Sequence, residues 1–470
     1  MVSRRAVLVA GGATVAALGA VAAGDYVVEA GRDHELPVLP DTDAQGHMLW
    51  RNWSGIQSAY PAARAAPASD DALASLLKSA TANVRVVGAG HSFTALIPTD
   101  GTLVTLDGMS GVTAHDAQTC QATIATGSRL GELGPSLAAI GQEMLALPDI
   151  NKQSLGGALG TGTHGTGKTL QAIHGSVQSF RLVTAQGDVL DVSPQSHPEI
   201  FSAAKVGLGA FGVITSAVLQ NRPLSRIRKR VFAVSTQEAM EQWPEVKASH
   251  RTAEMYILPF TNMTAIITSD PTSDPVVPRG PDHDVDTLMS LKKLRDLFAF
   301  FPALRRMIGE YAIKTTPPEE AVDDGWKLLS NERPIRFNEM EFHLPAENQV
   351  PAAREVLAAV EQNRPDVFFP FEFRCVAQDD AWLSPFYQRE SGSIAVHAYY
   401  KNDYSFLFEI VEPILRRHGG RPHWGKLNSL KAEDFAQLYP KWKDALEVRK
   451  TLDPSGKFLN PYLKKVFGEA

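Results

Sequence analysis

The sequence predicts an α+β fold in two domains. The expectation rests on chain length, alternating short strand and helix patterns in the first half, and a change of texture after Pro223. The 470 residues carry 44% hydrophobic content, enough for a substantial core, and that length favours two or three domains. From Trp50 to about Pro223, β-type runs at Val84–Val87, Leu103–Leu106, Ala122–Thr126, Phe180–Thr184 and Val189–Val192 alternate with helical stretches at Asp70–Ala80 and Leu130–Ile140. Asp70 is the expected N-cap of the first of these helices. After Pro223, the proline- and serine-rich Asp270–Pro281 reads as a loop. Leu288–Ile308 reads as one helix with interleaved apolar and basic residues. A packed helix with a solvated basic face is preferred there over contact with a membrane surface. Strands return at Glu339–Leu344, Val367–Val376 and Ile394–Tyr400. The expected domains are therefore residues 50–223 and 224–429, with a tail, 430–470, returning to the first.

The N-terminus reads differently. Arg4 and Arg5 follow Ser3 and precede an Ala/Gly/Val-rich run to about Ala23. This resembles a twin-arginine export signal over residues 1–24, the route for proteins exported already folded. Ala20-Val-Ala22 is a weak cleavage candidate, and an uncleaved membrane anchor is the alternative, since the run is just long enough to span. Residues 25–49 look like a tether. The expected location is thus the periplasm or the extracellular side.

Composition narrows the function. A formal net charge of −6 argues against a nucleic-acid partner, which would need a basic face. Only Cys120 and Cys375 occur, so a disulfide framework is excluded and no cysteine cluster points to a metal.

Three glycine-rich stretches stand out: Gly88-Ala-Gly-His-Ser-Phe93, Gly156-Gly-Ala-Leu-Gly-Thr-Gly-Thr-His-Gly-Thr-Gly167 and Gly207-Leu-Gly-Ala-Phe-Gly212. Such loops let backbone N–H groups approach a pyrophosphate, and their spread suggests one long cofactor touched by several of them. Two tempting motifs fail on context. Gly162–Thr169 satisfies the phosphate-loop pattern, with Lys168 and Thr169 in the diagnostic places, but the stretch before it is too glycine-rich for a central strand. Gly207–Gly212 satisfies G-x-G-x-x-G, yet helix-like Ile200–Val206 precedes it and strand-like Val213–Leu219 follows. That is the reverse of a dinucleotide fingerprint.

These runs resemble the FAD-binding module of the vanillyl-alcohol-oxidase superfamily, most closely its aldonolactone oxidase and alditol oxidase branch. Phe371-Glu-Phe-Arg374, Pro422-His-Trp-Gly-Lys426 and Asp453–Asn460 match that branch's landmarks in order, so the resemblance covers nearly everything after Trp50. It implies a split FAD domain, made of residues 50–223 plus the tail, beneath an α+β cap. It implies FAD bonded covalently through His91. Cofactor contacts are implied at Val87, Gly88, Ala89, Gly90 and Ser92 of the first loop, and at Pro148 and Ser154 ahead of the second. Within and after the second they fall on Gly157, Gly160, Thr161, Gly162, Thr163, His164, Gly165, Gly212, Val213, Ile214 and Lys426.

Oxidising an alcohol needs its carbon placed over the flavin and its hydroxyl proton removed. Glu372 and Arg374 alternate on one strand, so both point to one face while Phe371 and Phe373 point to the other. The resemblance makes Glu372 the holder of substrate hydroxyls. Arg374 and Lys426 would orient substrate or balance charge on the flavin. His423 and Ser154 are lesser candidates. His164 is expected to support backbone near the cofactor, and His174, His197, His250 and His397 are expected to be structural. The implied substrate is a polyol or sugar-derived lactone. Pro148, at the position where related dehydrogenases carry an oxygen-blocking alanine, favours O2 as acceptor with release of hydrogen peroxide. A dehydrogenase of the same fold passing electrons to a cytochrome or quinone is the runner-up. A phosphate-loop ATPase and a flavoprotein without turnover are the remaining alternatives.

Overall fold

Strict alternation shapes the longest strand of the first half. Val213–Pro223 alternates buried and half-buried positions, as a strand with one covered face must. It is the spine of an antiparallel sheet ordered Val189–Val192, Val177–Val183, Val213–Pro223, Gln121–Ala125, Val112–Asp116, with Gln142–Met144 on the spine's far end. A small parallel sheet holds Ala63–Ala65, Thr102–Thr105 and Val84–Val87. Helix Asp70–Ser79 crosses between its strands and buries Leu73 and Leu77 against Val84, Val104 and Phe458. Its N-cap is Ser69, whose hydroxyl accepts from Ala72 N–H, and Asp70 is the first helical residue instead. The computed structural model describes residues 23–29, 31–281 and 283–469. Arg4, Arg5 and the Ala20–Ala22 cleavage candidate lie outside them.

The second half is built on an eight-stranded antiparallel sheet. Its order is Glu319–Asp324, Arg226–Ser235, Met263–Pro271, Thr252–Leu258, Phe371–Val376, Ser391–Tyr399, Phe337–Pro345, Arg421–Pro422. Helices Thr236–Ser249 and Gln349–Asn363 cover one face, where Trp243 packs edge-on to Phe373 and donates through Nε1 to Gln349 Oε1 at 2.8 Å. Phe371 and Phe373 are buried on that side. The other face carries the polar side chains described below.

Two expected elements differ. The strand expected at Val367–Val376 begins only at Phe371, because Pro370 has no N–H for a ladder bond. The single helix expected at Leu288–Ile308 is two, Asp284–Phe298 and Pro302–Lys314; Pro302 disfavours helical backbone at Phe301 and starts the second helix instead. Nor is the basic face solvated as a whole: Lys293 is exposed, but Arg295 and Arg305 are 0% and 2% exposed.

The rejected motifs sit where context placed them. Gly162–Thr169 follows helix Leu155–Thr161, with Lys168 and Thr169 exposed. Gly207–Gly212 lies between helix Pro198–Ala204 and strand Val213–Pro223. Toward the C-terminus, Lys457 O accepts from Val84 N–H at 2.9 Å, and Asn460 Nδ2 donates to Ala95 O and Pro98 O. Residues 23–29 form a helical turn against the second half, where Asp25 Oδ2 accepts from Phe300 N–H at 3.1 Å.

Candidate active site

A cavity of about 910 Å³ lies between the glycine loops and the polar face of the large sheet. Along one wall run Val87–Ser92, Pro148, Ser154, Gly157, Gly160, Thr161, Thr163, His164 and Gly212–Ile214; Glu372, Arg374, His423 and Lys426 line the other. Two expected cofactor residues do not face it. Gly162 ends helix Leu155–Thr161 in the left-handed conformation, φ +74°. Gly165 backs onto Leu147, whose carbonyl oxygen would lie 2.3 Å from an added Cβ. Both glycines answer to backbone geometry behind the wall rather than to the cavity.

The loop wall is held from behind. Arg85 is fully buried, and its guanidinium donates to four carbonyls: Leu96 at 2.8 Å, Gly209 at 3.0 Å, Leu208 at 2.8 Å and Phe458 at 2.5 Å. Burial pushes it down to about 10, with Asp453 opposing. It stays charged at neutral pH and fixes the orientation of the Leu208 and Gly209 peptides. A trans peptide that turns its C=O toward Arg85 turns the next N–H the other way. Gly88 meets Ser154 so closely that an added Cβ would lie 2.0 Å from Ser154 Oγ. At Gly160 a Cβ would meet nothing nearer than 3.8 Å, so that space belongs to the cavity. This glycine-walled trough fits the pyrophosphate and ring system of FAD. Ser154 Oγ itself accepts from Gly157 N–H at 3.3 Å as the helix N-cap, which places it among the loops and away from the carboxylates of the sheet.

His91 stands at the cavity wall stacked on Trp53, with centroids 5.2 Å apart. Burial, with help from Lys426, Arg129 and Lys152, pushes its imidazole down to about 4. The ring is therefore neutral near pH 7, with a nitrogen lone pair available.

The sheet wall is an array of charges. Glu372 and Arg374 share a strand face as expected and are bonded directly to each other, with side chains 7% and 9% exposed. Tyr256, opposite Glu372 in register, donates its hydroxyl to the same Oε1. Arg374 Nε also donates to Glu254 Oε2 at 3.2 Å. Burial raises Glu254 to about 7 despite Arg374, with Asp149 and Glu372 adding to the rise. One strand over, Glu339 and His397 are cross-strand partners. Lys426 Nζ bonds Glu339 and lies 5.2 Å from the centroid of the Phe93 ring. His397 was expected to be structural, yet it lines the cavity, and its ring lies with Glu339 and Glu372 in one cluster. His397 Nδ1 lies 2.8 Å from Pro370 O; in the neutral ring it donates there and leaves Nε2 as an acceptor.

Deeper in, His164 Nε2 meets Glu341 Oε1 at 2.9 Å and its Nδ1 meets Gly165 O at 2.8 Å, so it does support the loop backbone. Burial opposes ionisation of Glu341, but His164, His343 and Lys426 hold its carboxyl well below the usual range. His423 accepts at Nδ1 from Gly425 N–H and is pushed down by burial to about 3. The sets His164–Glu341–His423 and Glu339–Glu372–His397 each bring ligand-type atoms within 4.8 Å. Their carboxylates already have partners, Glu341 bonding His164 while Lys426 and Arg374 supply positive charge to Glu339 and Glu372.

Sequence reasoning missed Tyr256, Glu254, Glu339, Glu341 and His397. Their signal is polar residues at period two inside apolar strands, as in Phe337-Asn-Glu-Met-Glu-Phe-His343, where Glu339, Glu341 and His343 share one face. The clamp on Pro148 was also invisible: its carbonyl accepts from Ser330 Oγ at 2.7 Å, and Asp149 pairs with Arg333 and Asn331.

Comparison with known proteins places this geometry. The family described as D-arabinono-1,4-lactone oxidase matches residues 217–466, and an FAD-binding domain family matches residues 61–193. An L-gulono-1,4-lactone dehydrogenase of Mycobacterium tuberculosis is 33% identical over 434 residues, covering 89% of this chain and 99% of that protein. An L-gulonolactone oxidase of Bos taurus is 29% identical over 89% of this chain and 98% of its own length. A Streptomyces alditol oxidase is 26% identical over 88% and 97%. The crystal structure of cholesterol oxidase from B. sterolicum superposes with a TM-score of 0.74 at 15% identity, over 92% of this chain and 99% of that one, a likeness of fold.

Proposed function

The chain belongs to the D-arabinono-1,4-lactone oxidase family of FAD-dependent oxidoreductases, and from that premise we propose that it oxidises a CH–OH group of a polyol or sugar-derived lactone, with O2 as acceptor and hydrogen peroxide as product. The observation that carries this reading is the buried Glu372–Arg374–Tyr256 cluster facing a glycine-walled trough across one cavity. FAD, when bound, supplies the two-electron acceptor for the hydrogen leaving the alcohol carbon.

The residues divide the remaining work. Glu372 accepts hydrogen bonds from substrate hydroxyls, and Arg374 and Tyr256 fix its carboxylate so that little reorganisation is needed on binding. Arg374 and Lys426 place positive charge where negative charge develops. His397 Nε2 is positioned to take the hydroxyl proton, since its other nitrogen faces the Pro370 carbonyl. His91, kept neutral, offers the lone pair for a covalent link to the flavin. Pro148 supports oxygen access. Arg4 and Arg5, ahead of an uncharged run, support export of the loaded protein.

Oxygen consumption and peroxide, measured over a panel of aldonolactones and alditols, test the reaction. Turnover with none of them refutes the substrate class. The 33% identical relative is named a dehydrogenase, which supports the second reading, electron transfer to another acceptor. Reduction of a dye or quinone without oxygen uptake would establish it. Flavin that is released on acid precipitation would refute the link to His91.

A further inference from the structure

The helical hairpin Asp284–Phe298 and Pro302–Lys314 is turned inside out. Its arginines point inward. Arg295 is fully buried and donates to Asp366 O at 3.0 Å, with its guanidinium over Phe368. Arg305 donates to Pro365 O and Val367 O and lies 4.2 Å from the centroid of the Phe260 ring. Outward, Met307 and Tyr311, one turn apart on the second helix, are 62% and 72% exposed, and Phe300 and Phe301 in the connection are 57% and 39% exposed. Tyr26 and Val27, 49% and 70% exposed, join this surface because Asp25 Oδ2 accepts the N–H of Phe300. Among the described residues, every well-exposed aromatic side chain lies here. The buried arginines are satisfied by Asp296 and by the carbonyls of residues 365–367, but the clustered exposed aromatics have no such partner and mark a contact surface.

We propose that this surface is a membrane-docking face, seated in the interfacial region of a lipid bilayer. The chain itself points to that occupant. Immediately upstream of Asp25, residues 6–24 are uncharged and rich in Ala, Val, Leu and Gly, and Asp25 is bonded to the middle of the patch. The uncharged run therefore ends in sequence within a few residues of Asp25, the residue bonded to Phe300. Lys293 and Lys314 are exposed at the hairpin's flanks, a placement suited to lipid phosphates. No helix among the described residues is long and apolar enough to cross a membrane, so the hairpin lies on the bilayer. Its inner side lines the cavity through Leu288, Leu291 and Ile313, which brings the cavity close to the docked surface. The inference is independent of which alcohol is oxidised.

The test labels the full chain with an environment-sensitive fluorophore at Met307→Cys in a Cys120→Ser background. Val189→Cys, exposed on the first half, serves as control. Vesicles contain phosphatidylcholine and phosphatidylglycerol in equal parts, with and without brominated acyl chains. The expected result is a blue shift and bromine quenching at position 307 but not at 189. A vesicle-bound chain with no quenching at 307 overturns the proposal, as does failure to bind vesicles. A concentration-dependent shift at 307 without lipid assigns the face to a second copy of the chain and equally overturns it. The triple variant Phe300→Asp, Met307→Asp, Tyr311→Asp is expected to partition at least roughly tenfold more weakly with alcohol oxidation in solution unchanged.

Discussion

The two walls of the cavity are made of different material. The loop wall is backbone: glycines at Gly88, Gly90, Gly157 and Gly160, braced from behind by the Arg85 guanidinium. The sheet wall is side chain: Glu372, Arg374, Tyr256 and Glu254 are bonded to one another, and beside them Glu339 is held by Lys426 and His397 by the Pro370 carbonyl. A site built from backbone tolerates little added volume but carries few titrating groups. A site built from interlocked charges tolerates shape changes poorly for another reason, since removing one member strands its partners.

The comparison can be broken by exchanging the expected failures. Arg85→Met leaves four buried carbonyls short of a donor and is expected to cost about 3–5 kcal/mol of stability, with flavin lost on mild heating, as read by thermal unfolding and absorbance. Glu372→Ala is expected to keep bound flavin and lower kcat/KM by roughly a hundredfold or more. Colourless Glu372→Ala protein, or unimpaired turnover, would show that the walls do not divide labour in this way. Gly88→Val drives a side chain into Ser154. It is expected to lower flavin occupancy severalfold in the purified protein, measured by the flavin-to-protein absorbance ratio.

Smaller effects sharpen the contrast. Tyr256→Phe removes one hydrogen bond to Glu372 and is expected to lower kcat/KM by about 1 kcal/mol, roughly fivefold, with flavin binding unaltered. Glu254 gives the sheet wall a pH dependence. Its folded value, about 7, lies above the ordinary 4.5, so the folded state holds the proton more tightly. The stability tied to that proton is fully present below about 4.5 and is lost as pH rises through about 7. Relative to Glu254→Gln, the unaltered protein is expected to lose melting temperature between pH 5 and pH 8. A gap that stays constant would place the titration elsewhere.

Legibility followed the same division. The glycine loops and the shared face of Glu372 and Arg374 were readable because each is a local pattern, a run of glycines or a two-residue alternation. His397 was not, because its role depends on Glu339 across the ladder, 58 residues away in sequence, and on the Pro370 carbonyl. Ser69 displaced Asp70 as N-cap by one residue, since both residue types can cap and only backbone angles choose. The hairpin misled most: an alternation of basic and apolar residues gives no sign of which set faces inward.

By itself the sequence determined the α+β class, the reversed order of helix and strand around Gly207–Gly212, and a glycine-walled cofactor trough, because these depend on local backbone preference and periodicity. Tertiary structure alone decided which polar strand residues meet in one charged cluster and which face of the hairpin is turned outward. Those outcomes rest on cross-strand register and on carbonyls, such as those of residues 365–367, that become partners for buried arginines only after the chain has closed on itself.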